Sequence, residues 1–396
     1  MIVYRGFKLT IEGYVKFFIR FLFFIFLHIF FICPIDEKKF FFRAFYGRKF
    51  TCSPKYLFLY LQKKYGDKYR YVWKLEDDTR TIPGAKVVKN HTISSFIDIM
   101  TSKYIITNND FMWWVPLRKS QVVIQTWHGG GAYKRIGKYE QGSRLFHIDQ
   151  TLNAKQVSYY VSSCKKYTEA LSESKYVPTD KFIPTGLPRN EIFFYPERTA
   201  ELKKKVYNQF GLPFQPEIHI VLFAPTYRGI RGYKEGDVVI SLEPDYNKLL
   251  SALHNKFGGT WILFYRSHYF DSHLLKSLPD QVVNATRYED MQELLCAADV
   301  LVTDFSSSMW DFALTGKPCF LYAPDIQKYI DQRGFYTDPG TWPYPLAKSD
   351  DELSANIIGF DERKYTSDVK RHFNELGSYE NRNACQKVCE LIGVAD

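Results

Sequence analysis

His128 offers the clearest chemistry in the chain. It stands in "QTWHGGGAYKRIG", residues 125–137, behind a run that reads as a strand and ahead of Gly129, Gly130, Gly131 and the basic pair Lys134 and Arg135. An imidazole beside glycines and cations suits a general base acting next to a phosphate-bearing substrate. The glycines would let backbone approach a ligand without Cβ clashes. The spacing matches neither G-x-x-x-x-G-K-[ST] nor G-x-G-x-x-G, which disfavours a P-loop and a dinucleotide site.

Four more stretches carry polar residues just past predicted strands. "DVLVTDFSSSMWDF" ends a strand in Asp304 and opens a helix at Ser306, Ser307 and Ser308. Hydroxyls, free backbone N–H groups and the helix dipole would favour an anion there. Simple helix capping is the competing account. Asp304 would repel a phosphate, so it is expected to orient the serines or hold a cation. Asp311 is expected to reach a ribose hydroxyl or to stay solvated. "FYRSHYF" puts Arg266 and His268 on one face of a strand end, with Tyr269 following. Together they would clamp a diphosphate. "APTYRG" offers Thr226 and Arg228 before Gly229, and "PTGLPRNE" is a turn carrying Gly186, Arg189 and Asn190. Such a turn can wrap a nucleotide base or serve as an ordinary connection.

The elements that must position these residues alternate between strand and helix. From "FFFRAFYG" onward the chain reads as a βαβ series through "YRYVWKLED", "YIITNND", "QVVIQTWH", "QVSYYVSSC" and "KFIPTG". The helix "SPKYLFLYLQKKYG" is expected to start with Ser53 as its cap and Pro54 in its first turn. A break at "LPFQPE" follows the polar helix "ERTAELKKKVYNQFG", and the boundary is placed near 195–216. A second series then runs through "IHIVLFAPTYRG", "WILFYRSHY", "QVVNAT", "DVLVTDF" and "PCFLYAPD". The expected fold is α/β and glycosyltransferase-B-like: two Rossmann-type, doubly wound parallel-sheet domains facing a cleft. The divisions are 1–35, 36–200, 201–375 and 376–396, the last a helix packing back on the first domain. In open parallel sheets ligands bind beyond the carboxyl ends of the strands, where the residues named above collect.

Composition narrows the partners. The chain has 396 residues, 45% of them hydrophobic, and carries 53 Lys and Arg against 43 Asp and Glu, a formal charge of +10. That excludes disorder and fits a phosphorylated or anionic partner. The seven cysteines are scattered without a C-x-x-C pair and are expected to be free thiols. No D-x-D lies beside the candidate nucleotide site, and Asp77–Asp78 fall in a turn, so no cofactor is expected and divalent-metal dependence stays open. The run "KFFIRFLFFIFLHIFFIC", residues 16–33, holds Arg20 and follows a basic flank, without a cleavage site. It is slightly short for a span. The preferred reading is a monotopic helix in the cytoplasmic leaflet of the plasma membrane, with a spanning helix and an ordinary buried helix as the competing ones.

These motifs together resemble the CDP-glycerol glycerophosphotransferase family of teichoic-acid and capsule enzymes. The marks are "QTWHGGGAYKRIG", "GLPRNE", "APTYRG", "RSHY", "VTDFSSSMWDFALTGKPCFLYAPD" and "RGFY", in family order over roughly residues 40–345. The family's W-H-G-T-P-L-K reads W-H-G-G-G-A-Y-K here, keeping His128 and Gly129. The resemblance implies transfer of glycerol or ribitol phosphate from a CDP-alditol to an acceptor hydroxyl, with release of CMP. It makes 36–200 the acceptor domain and 201–375 the CDP-alditol domain. His128 and His268 become catalytic candidates, with the remaining residues on the phosphates. The implied acceptor is a lipid-linked saccharide or polyol phosphate at an anionic membrane surface, and nucleic acid is not an expected partner. Some polymerases of the family have a long extra N-terminal domain, and its lack here leans toward single addition or a capsule enzyme. The competing readings are a nucleotide-sugar glycosyltransferase of the same fold, an epimerase of similar fold, and a basic membrane-bound module without catalysis.

Overall fold

A computed structural model describes residues 2–77, 79–140, 142–226, 243–267, 278–279 and 282–394, with side chains from residue 11 onward. Among the described residues, two parallel sheets hold the strands. The first joins β1 (Asp36–Arg43), β2 (Arg70–Leu75), β3 (Lys86–Lys89), β4 (Ser102–Thr107), β5 (Val122–Gln125), β6 (Tyr159–Val161) and β7 (Phe182–Ile183) in the order β3-β2-β1-β4-β5-β6-β7. The second joins β8 (Ile218–Phe223), β9 (Thr260–Tyr265), β10 (Val282–Asn284), β11 (Val300–Thr303), β12 (Cys319–Tyr322) and β13 (Leu346–Ala347) in the order β10-β9-β8-β11-β12-β13. The two-sheet α/β architecture matches the sequence-based expectation. Two strands, β3 and β13, were not expected. Each is short, and β3 is half solvated, so neither shows a sustained apolar run.

The helices are α1 (Ile2–Leu27), α2 (Cys52–Tyr65), α3 (Ile93–Thr101), α4 (Arg144–Gln156), α5 (Lys165–Lys175), α6 (Pro196–Gln209) and α7 (Tyr246–Phe257), followed by α8 (Met291–Ala297), α9 (Ser308–Ala313), α10 (Ile326–Gln332), α11 (Asp350–Ile358), α12 (Glu362–Leu376) and α13 (Ala384–Leu391). Strands in the middle of a parallel sheet are covered on both faces, which is why "FFFR" is fully buried. Alternation along β1 and β2 sends Phe40, Phe42, Tyr71 and Trp73 toward α2, and Phe41 and Val72 toward α3. Helix α2 begins at Cys52 with Thr51 before it, two residues earlier than Ser53 would have set it. The segment 188–194 is a 3-10 helix rather than a plain turn. Helix α13 places Cys385, Val388 and Cys389 in the same cluster as α2, and all seven cysteines are free.

Helix α1 is longer than the apolar run alone indicates, and residues 11–32 are long and apolar enough to cross a membrane. One side lies along the first sheet's outer layer. The Phe17 and Trp113 rings are 4.8 Å apart, and the Arg20 guanidinium pairs with Asp149 of α4 at 2.9 Å. Asp149 also accepts from the Trp113 indole N–H at 2.7 Å. Phe18, Phe26 and Ile29 on the other side are exposed.

His372 of α12 is buried against Tyr133, whose hydroxyl lies 3.1 Å from its Nε2. Burial, then the nearby Arg371, hold its pKa down at about 4, against 6.5 ordinarily. The unfolded chain therefore takes up a proton below 6.5 that the folded chain refuses until about 4, so stability is full above 6.5 and falls with pH across that window. The loss from this group is bounded at about 3 kcal/mol. Urea midpoints measured from pH 7 to 4.5 should fall, and His372→Gln should flatten that slope.

Candidate active site

His128 lies three residues past β5, in backbone that turns sharply: Trp127 has φ +51° and Gly131 φ +65°. The imidazole Nδ1 is 2.9 Å from the Asn108 carbonyl oxygen. A carbonyl only accepts, so Nδ1 carries the proton and Nε2 presents its lone pair. The ring is held in plane by Trp127 at 4.4 Å and Phe45 at 5.6 Å. Trp127 is fixed in turn by the Lys175 ammonium, 4.1 Å from its ring, and Lys175 is anchored on Asp110 at 2.9 Å. Burial, with smaller contributions from Arg189, Lys134 and Lys175, outweighs the Asn108 hydrogen bond and pushes the imidazole down to about 4. At neutral pH it is an uncharged base.

The glycines serve a different purpose from the one expected. A Cβ on Gly130 would overlap the Trp310 indole of α9 and reach Leu187 at 3.1 Å, and one on Gly129 would touch the Ser307 hydroxyl at 3.4 Å. Gly130 lets the His128 loop press against the second sheet's α9 segment. Gly130→Ala should cost about 1–3 kcal/mol through overpacking, visible as a lower melting temperature. Gly186 (φ +75°) likewise abuts Tyr379 and Glu380 backbone. Glu380 accepts from the Trp310 indole at 2.9 Å and the Leu187 N–H at 3.0 Å, and burial pushes its carboxyl up to about 7.

On the facing side, Ser306 behaves as a cap: its Oγ accepts from the Ser308 N–H at 3.3 Å and the Ser308 hydroxyl at 2.9 Å. Helix α9 has six residues, fewer than the sequence indicated, so little dipole stands behind the serines. Ser307 is the hydroxyl next to the His128 loop. Asp304 is buried. It accepts from the Thr226 N–H at 2.9 Å and hydroxyl at 2.5 Å, tying the loops after β8 and β11 together. Arg266 directly follows β9, and its buried Nη1 has no hydrogen-bond partner among the described residues. Burial lowers its pKa to about 10, partly offset by Asp290. Arg228 and His268, with Gly229 and Tyr269, lie outside the described residues.

Three expected ligand contacts turn out to be a clamp between the halves. Arg189 Nε and Nη2 donate to Asp311 at 3.0 and 3.1 Å, and Asn190 Nδ2 donates to the same carboxylate at 2.8 Å. Arg189 and Asp311 are 2% and 3% exposed, so Asp311 is neither solvated nor turned toward a ribose. Lys134 is half-buried and its backbone pairs with Phe335, while Arg135 is exposed, its guanidinium 5.0 Å from the Tyr139 ring. Arg135 therefore points to the outer surface of this loop.

Sequence reasoning missed Lys49 and Asn108. Lys49, in the loop after β1, is pushed down to about 8 by burial first and by Arg266 next, so cations from both halves meet. Both residues follow strand ends, and the rule that found His128 would have found them. The halves are further bridged by Lys55 to Asp290 at 2.6 Å and Arg80 to Glu289 at 2.6 Å.

The family model described as CDP-Glycerol:Poly(glycerophosphate) glycerophosphotransferase matches residues 25–393. The teichoic acid poly(glycerol phosphate) polymerase of Bacillus spizizenii is 26% identical over 381 residues, covering 91% of this chain and 94% of that protein. Its namesake in Staphylococcus epidermidis is 26% identical over 378 residues, and there the chain spans about half the relative, 51%. The teichoic acid poly(ribitol-phosphate) polymerase of Bacillus spizizenii is 28% identical over 285 residues, 70% of this chain and 43% of that one. Among solved structures, a variant of the wall teichoic acid polymerase TagF superposes with a TM-score of 0.81 at 23% identity, covering 98% of this chain and 97% of that chain. This likeness establishes the shared fold.

Proposed function

Because the chain belongs to the CDP-glycerol:poly(glycerophosphate) glycerophosphotransferase family, we propose that it transfers an alditol phosphate from a CDP-alditol, CDP-glycerol or CDP-ribitol, to an acceptor hydroxyl in teichoic-acid or capsule synthesis. The observation that carries this reading is the neutral, tautomer-fixed His128, mounted on a loop pressed against Ser307 of the other half. The acceptor hydroxyl attacks the β-phosphorus in line. A new O–P bond forms, the bond to CMP breaks, and the hydroxyl proton passes to His128 Nε2. Arg266, with Lys49 beside it, is the cationic side on which the phosphates and the charge shifting onto CMP would rest. Thr226 and Ser307 line the same gap. His268, two residues after Arg266 in the sequence and outside the described residues, stays a candidate on that side by its motif alone. Residues 36–200 form the acceptor half and 201–375 the donor half.

The purified chain should release CMP from CDP-glycerol or CDP-ribitol in the presence of a polyol-phosphate or lipid-linked saccharide acceptor, and leave UDP- and GDP-sugars intact. Turnover of a UDP- or GDP-sugar instead would make it a glycosyltransferase. The exposed apolar side of α1, with Arg20 neutralised by Asp149 on its inner side, supports a helix lying in the cytoplasmic leaflet against the domain. Removing residues 1–35 should release the protein from sedimenting membranes, and a truncated chain that still pellets would refute that anchorage.

A further inference from the structure

The first sheet buries two cations that the transfer mechanism leaves unused. Arg43 ends β1 and Lys74 is the penultimate residue of β2. The register pairs Phe41 with Val72 and Phe42 with Trp73, which brings Arg43 opposite Lys74. Strand neighbours are about 4.8 Å apart, and both side chains leave the same face, that of Phe41 and Val72. Arg43 is 3% exposed and Lys74 is fully buried. Among the described residues neither has a carboxylate within ion-pair distance. Among the described residues, the hydrogen-bond contact of Lys74 Nζ is with the Met112 sulfur, at 3.9 Å. The Arg43 guanidinium lies over the Tyr46 and Phe111 rings, and its Nε and Nη1 are buried without a hydrogen-bond partner. The acid that Arg43 feels, Asp110, is already committed to Lys175 and Gln150.

Two like charges buried side by side are costly unless an anion joins them. Thr107 of β4 pairs with Arg43 across the other side of β1, and the next residue, Asn108, has a buried Nδ2 without a partner. The main-chain oxygen of Asn108 is the one that fixes His128. Strand order reverses between β1 and β4, the crevice where open parallel sheets take ligands. Burial and the Arg43 charge also hold the Lys74 ammonium down at about 7, a penalty an incoming anion would lift. Tyr46, which covers Arg43, is itself exposed and held at φ +63°.

Resting on the proposed reaction, we infer that Arg43 and Lys74 form a subsite for a phosphate group of the acceptor, at the sheet edge that also carries the Asn108 carbonyl and the His128 base. The guanidinium fork and the ammonium match the oxygens of a phosphate diester. The enzyme is therefore built to extend acceptors that already carry phosphate.

The test uses the full chain, CDP-glycerol, and two synthetic acceptors that differ only in a terminal glycerol phosphate. The wild type should show kcat/KM at least tenfold higher for the phosphorylated acceptor. Lys74→Met and Arg43→Gln should bring that ratio toward one. Lys74→Met should at the same time raise the melting temperature, since it removes an uncompensated buried charge. Equilibrium dialysis of glycerophosphoglycerol should show binding to the wild type and none to Lys74→Met, and phosphatidylglycerol vesicles should not compete for it. A wild-type ratio near one, a ratio unchanged in both variants, or displacement by the vesicles (a lipid-headgroup site) overturns the inference. The wild-type ratio and dialysis decide it if neither variant folds. No CMP release with either acceptor would instead sink the proposed reaction.

Discussion

Replacing His128 with alanine is expected to lower kcat by about 10²–10⁴, the usual contribution of a positioned general base, while CDP-glycerol affinity measured by calorimetry stays near that of the unmodified enzyme. The expectation rests on a chain of contacts. Asp110 holds Lys175, Lys175 holds the Trp127 ring, Trp127 stacks on the imidazole, and the Asn108 carbonyl keeps the proton on Nδ1. Nε2 is thereby available without rearrangement. The pH profile supplies a second check. With the free-enzyme imidazole near 4, the base form persists from neutral pH down to about 5. The acid limb of kcat/KM should therefore fall only below that, because protonation there removes the lone pair. Near-normal turnover in His128→Ala, or an unchanged acid limb, would take His128 out of the chemistry.

The second large effect is on stability. Asp311→Asn should cost about 3–5 kcal/mol, the range for stripping one partner from a buried ion pair. It leaves the Arg189 guanidinium, 2% exposed, without its counter-charge. Asn190 Nδ2 and Gln292 Nε2 donate to the two different Asp311 oxygens at 2.8 and 3.0 Å, and an amide there leaves an acceptor for only one of them. Urea denaturation reads this directly. Arg189→Met alone should be destabilising for the mirror-image reason, and the double variant Arg189→Met with Asp311→Leu should recover much of the loss. If Asp311 held a ribose instead, Asp311→Asn would leave the urea midpoint unchanged and weaken CDP-glycerol binding. The two assignments therefore separate on two instruments.

The contrast between His128 and Asp311 shows how far local sequence reaches. His128 follows a predicted strand and Asp311 sits in the predicted helix after one, and both are polar residues in motif-like surroundings. His128 stays half-exposed at the gap. Asp311 is drawn into a buried pair by Arg189, 122 positions earlier in the chain. Spacing on a strand or helix says which face a residue takes, and is silent about what a distant segment brings to that face. Gly130 shows the same limit: it is small because Trp310 sits there, a fact with no local signature.

Hydrophobic alternation, turn residues and strand-end chemistry were enough to determine two parallel-sheet halves, a helix at the amino end and a histidine beside glycines at a carboxyl edge. Those features depend on periodicity, which the covalent chain carries by itself. The tertiary structure alone decided which imidazole nitrogen is free, which arginine is spent on a clamp, and which cations, Arg43 and Lys74, lack a counter-ion among the described residues. Protonation, pairing and desolvation depend on neighbours within a few ångströms, and folding supplies those neighbours from far along the chain.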